Sequence, residues 1–141
     1  MGLDNGVYVK RNKYTNTIPE LQQFEESWDK EHKCDFEICY WRKCYNIRSK
    51  VIDALWDKWS DECHQMQVYD GRLDVHDVEN IIKVLQSFNS KNWQSDGGSI
   101  WDWDDEEWPY SEKVKRDIEN LKLLRKLMDK YKLEVYFEDS Y

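Results

Sequence analysis

No run of apolar residues is long enough for a signal peptide or a membrane span, so the chain reads as a protein of the cytoplasm without a membrane partner. Basic charge is also in deficit: 21 Lys and Arg stand against 29 Asp and Glu, a net charge of −8. A binder of duplex nucleic acid needs a basic footprint, which excludes that class; an acidic chain suits a basic protein surface or imitates nucleic acid. Catalytic signatures are missing as well. There is no nucleophile elbow, phosphate loop or metal-binding histidine pair, and His32, His64 and His76 stand in unrelated polar contexts. The four cysteines, Cys34, Cys39, Cys44 and Cys63, lack the paired spacing of a zinc site and read as reduced thiols. No catalytic residue, metal or cofactor is expected.

What the chain has in abundance is aromatic surface, with eight Trp and nine Tyr in 141 residues. These rings bring large buried area, but each carries a polar atom that needs a partner, so some are expected to face a groove. Hydrophobic content of 40% and charged content of 35% fit one domain spanning residues 1–141 with a single core.

Strands are expected at Gly6–Lys10, Met66–Tyr69, Ile100–Trp103 and Leu133–Phe137, with a turn at Asp70-Gly71. Leu21, Phe24 and Trp28 stand at helical spacing in Glu20–Lys33, which reads either as a short helix or as a surface excursion. Asp74 caps a helix whose stripe is Val75, Val78, Ile81, Ile82, Leu85 and Phe88. Another helix starts near Pro109 and carries Val114, Ile118, Leu121 and Tyr131. The order implies an α+β fold: a small antiparallel sheet of about four short strands with about three helices packed on it.

The central stretch Glu37–Arg48 carries the sharpest chemistry. Read as a helix capped by Asp35 and running to Trp59, it places Ile38, Trp41, Cys44, Tyr45, Ile52, Leu55 and Trp59 on one face. Arg48 then falls inside that apolar stripe, where a guanidinium needs an anionic partner or ligand. Tyr40, Trp41, Arg42 and Lys43 bring rings that stack on bases and cations that hold phosphates. The structural alternative is a core Trp41, a carboxylate partner for Arg48 and a solvated edge for Arg42 and Lys43. The acidic run Asp102, Asp104, Asp105, Glu106 and Glu107 does not fit a calcium loop; it reads as a phosphate mimic or as a solvated turn before a helix.

The opening Met1-Gly2-Leu3-Asp4, the run Tyr40-Trp41-Arg42-Lys43 followed by Ile47, and the closing Val135–Tyr141 together resemble a widespread family of small phage and prophage proteins. Gly97-Gly98 leading into Trp101, Asp104, Glu107 and Tyr110 is similar to that family's aromatic-acidic stretch. The resemblance runs through nearly the whole chain in order, and it departs at the cysteines and at the tryptophan-rich 100–108 segment. It implies a phage origin, action in the host cytoplasm and, by association, a counter-defence role.

The expected function is therefore non-catalytic sequestration of a host nucleotide immune signal, a small nucleotide of cyclic or ADP-ribose type. Tyr40, Trp41, Trp101, Trp103 and Tyr110 supply rings, and Arg42, Lys43 and Arg48 supply cations. The alternative is an acidic inhibitor docking on a nucleic-acid-binding host defence protein, with Asp102–Glu107 and exposed tryptophans as anchors. Either role is compatible with a homo-oligomer. A deep pocket with converging cations favours the first; a flat face of spaced carboxylates favours the second.

Overall fold

A computed structural model describes residues 4–26, 35–42, 45–58, 71–88 and 110–140. Strand β1, Asp4–Val9, comes from the alternating segment around Val7-Tyr8-Val9. It lies at the centre of a sheet and pairs antiparallel on both sides, with β3 (Phe36–Arg42) and with β5 (Val135–Ser140). The two-residue β2, Glu25–Glu26, extends the sheet beyond β3, and β4, Gly71–Leu73, extends it beyond β5. The order is β2-β3-β1-β5-β4, antiparallel at every junction.

Three α-helices accompany this sheet among the described residues: α1 (Tyr45–Leu55), α2 (Val75–Gln86) and α3 (Tyr110–Lys130). α2 packs against both α1 and α3, and α3 lies across β3. Val7, Val9, Phe36, Trp41, Val135 and Phe137 of the sheet share one core with Ile47, Val51 and Leu55 of α1, Val78, Ile81 and Leu85 of α2, and Leu121 and Leu124 of α3. This is the α+β architecture expected from the sequence.

The first half of the expected central helix is a strand. Residues 36–42 form β3, and helix begins only at Tyr45. Ile38, Trp41 and Tyr45 do recur at helical spacing, but Cys39 and Trp41 are buried while Tyr40 between them is exposed, which is strand alternation. Ile, Cys, Tyr and Trp are mediocre helix formers and good strand formers. What decides is β1, whose backbone donors and acceptors on that side need a partner strand. Asp35 is accordingly not a helix cap. It is buried beside β3 and accepts hydrogen bonds from the Arg11 backbone N–H (3.0 Å) and the Tyr136 hydroxyl (2.5 Å).

Gly6 shows why the β1–β3 contact is so close: a Cβ there would stand 2.5 Å from the Cys39 carbonyl oxygen and 3.0 Å from the Tyr8 hydroxyl. The Glu20 region forms a 3₁₀ helix over Pro19–Gln23 followed by β2, with Leu21 and Phe24 buried, rather than an α-helix. Gly71, expected in a turn, opens β4. The expected strands at 66–69 and 100–103 lie outside the described residues. Asp74 does cap α2, in a full capping box: its carboxylate accepts from the Asp77 N–H, and the Asp77 carboxylate accepts from the Asp74 N–H, both at 2.9 Å.

Candidate functional site

Alternation along β5 turns Val135, Phe137 and Asp139 toward the helices, which places a carboxylate in the apolar layer. Arg48, in the first turn of α1, meets it there. Its Nε donates to Oδ1 at 2.9 Å and to Oδ2 at 3.0 Å, and its Nη2 donates to Oδ2 at 2.7 Å. The side chains are 14% and 0% exposed. The guanidinium in the apolar stripe is thus matched by a carboxylate in the apolar face of the last strand. The sequence offered that signal, an acid at an inward position of an alternating strand.

A second buried network joins β3 to α3. The Trp41 indole N–H donates to Asp117 Oδ2 at 2.9 Å, and Lys113 Nζ donates to the same oxygen at 2.7 Å and to the Tyr40 carbonyl at 3.0 Å. Trp41, Lys113 and Asp117 are all buried. Lys113 and Asp117 stand one helical turn apart, so a single face of α3 supplies both charges. Beside them, burial first and then the Asp117 charge push the Cys39 thiol well above its ordinary value, which keeps it a protonated core thiol. Asn5 pairs with Trp41 on one side and Asp139 on the other, so it lies in the row between the two networks. It is 2% exposed, and neither of its amide atoms has a hydrogen-bond partner among the described residues.

The opposite face of the sheet carries Tyr8, Glu37, Tyr40, Arg72, Tyr136 and Glu138. Tyr8 and Tyr136 are stacked with ring centroids 5.6 Å apart. The Tyr136 hydroxyl is held by Asp35, and burial, reinforced by that bond, pushes the phenol well above its ordinary value. Around this fixed ring lies a shallow groove of about 330 Å³, lined by Lys10, Asp35, Arg72, Glu134, Tyr136 and Glu138 among others. Arg72 contacts Glu134 at 3.4 Å, and both side chains are more than half exposed.

Among the described residues, Tyr40, Trp41 and Arg48 of the expected ligand site are not brought together. Trp41 and Arg48 are internal and already paired, on separate networks. Tyr40 is 37% exposed on the outer face. Arg42 ends β3 and Tyr110 begins α3, while Lys43, Trp101, Trp103 and the acidic run 102–107 lie outside the described residues. The sequence reading missed Lys10, Arg72 and Tyr136, which come from three separate strands or strand ends. Only the alternation of Tyr136 against Val135 and Phe137 marked it as outward-facing.

No protein-family model, curated protein or solved structure matches the chain. Among the described residues no helix is long and apolar enough to cross a membrane, and no three His, Cys, Asp or Glu side chains are grouped to hold a metal ion.

Proposed function

We propose that the protein is a non-catalytic binder that sequesters a small nucleotide, acting as a phage counter-defence factor against a host immune signal. The observation that carries this reading is the outer groove, where the fixed ring of Tyr136 stands between the exposed cations Lys10 and Arg72 in about 330 Å³. That volume falls in the range of small-molecule sites. A base stacks on the ring, the two cations hold phosphate oxygens, and the Glu138 carboxylate accepts from ribose hydroxyls. Sequestration needs only such complementarity and no chemistry. Trp41 and Arg48 leave the proposed site, and Tyr40 remains on the same sheet face.

A second reading is favoured by the carboxylates of Glu37, Glu134 and Glu138 spaced over the same region beside exposed Tyr40. In that reading the face docks on a basic surface of a host defence protein. One experiment separates the two. The purified protein is incubated with nucleotide extract from infected cells, and the bound fraction is released by heat and analysed by mass spectrometry. Recovery of an intact nucleotide, lost in Lys10→Ala/Arg72→Ala protein, supports sequestration. Recovery of an altered nucleotide indicates an enzyme. Absence of any nucleotide, with capture of a host nucleic-acid-binding protein that Glu37→Lys/Glu138→Lys abolishes, supports the docking reading.

A further inference from the structure

We infer that the nucleotide is a dinucleotide, seated across two adjoining clefts that share Arg72. This rests on the sequestration reading and assigns the ligand class of that site. Beyond Arg72 lies a second cleft of about 350 Å³, close in volume to the first, with Leu73, Val75, Met128 and Leu133 in its wall. The first cleft offers a tyrosine ring; the second offers an apolar surface. Both suit the face of a nucleobase. Arg72, on edge strand β4, lines both clefts.

The charges follow the same line. Lys10 lines the first cleft, Arg72 stands at the junction, and Lys132 lines the second. They come from three segments: the end of β1, β4, and the connection between α3 and β5. Among the described residues Lys10 and Lys132 make no ion pair, and Arg72 has a 3.4 Å contact to Glu134 with its own side chain 71% exposed. That long, solvated contact exchanges readily for a phosphate, for which the guanidinium fork is the better geometric match. A phosphodiester at Arg72 therefore directs one nucleoside into each cleft, with Lys10 and Lys132 toward its outer oxygens. Glu134 and Glu138 flank the first cleft. Carboxylates there accept hydroxyl hydrogens, so ribose is favoured over deoxyribose.

The test is calorimetry of the full chain against linear and cyclic diribonucleotides covering all four bases, beside the four mononucleotides. The expected result is a diribonucleotide that binds at least about tenfold tighter than either of its mononucleotides, the least that one added charge-assisted contact supplies. Lys132→Ala should weaken dinucleotide binding more than mononucleotide binding and so remove most of that advantage, whereas Arg72→Ala should weaken both. Both side chains are exposed, so the variants should fold as the parent does. Equal affinity for mono- and dinucleotides, with Lys132→Ala silent, overturns the two-cleft inference and leaves the nucleotide reading standing. Failure of every nucleotide to bind overturns both.

Discussion

Replacing Arg48 with methionine should be strongly destabilising. From the sequence alone the same substitution reads as neutral or stabilising, provided that the partner carboxylate can reach water. It cannot: the Asp139 side chain is 0% exposed and takes three contacts of 2.7–3.0 Å from the guanidinium. Methionine keeps the apolar stem but strands a buried carboxylate, a loss of about 3–5 kcal/mol. For a chain of this size that corresponds to a fall in Tm of roughly 10 °C or more. The double variant Arg48→Met/Asp139→Leu removes both charges and should recover most of the loss, ending near or above the parent. Urea unfolding followed by tryptophan fluorescence, with each variant alone and both together, gives the coupling energy directly. If Arg48→Met costs less than about 1 kcal/mol, or the double variant is no better than the single, the pair is not the closed internal bridge described and the reasoning fails.

Lys113→Met should likewise cost about 3–5 kcal/mol in the same assay, because Asp117 is left charged and buried; a cost near zero would mean that Asp117 reaches water. Asn5→Leu, a near-isosteric change at an amide with no partner among the described residues, should be neutral or raise stability by about 1–3 kcal/mol, and marked destabilisation would show that the amide is satisfied. Asp74→Ala should cost about 1 kcal/mol through the lost capping box, with ligand or partner binding unchanged; lost binding at constant Tm would give Asp74 a functional role. Because burial raises the Cys39 thiol above its ordinary value of 9.0, its contribution to stability is complete below that pH and is lost as pH rises toward the folded value. Alkylation of Cys39 in folded protein, read by peptide mass spectrometry, should therefore be negligible at pH 8, and rapid labelling would contradict its burial.

The α+β class, the capped helix α2, the long helix α3 and the strands at the two ends of the described chain were determined by the sequence itself. Each rests on a local signal: a capping carboxylate before a 3.6-residue stripe for α2, a sustained stripe from Val114 to Tyr131 for α3, and alternation around Val7 and Phe137. The oddity of Arg48 was legible in the same way, since a cation in an apolar stripe demands a partner whatever the fold. Tertiary structure alone decided the rest. The apolar and aromatic residues Phe36, Ile38, Cys39, Tyr40 and Trp41 become strand because β1 needs backbone partners on both sides. The partner of Arg48 stands 91 residues away, and that of Trp41 76 residues away, separations that no local pattern encodes. The outer groove is assembled from Lys10, Arg72 and Tyr136, which only sheet register brings together.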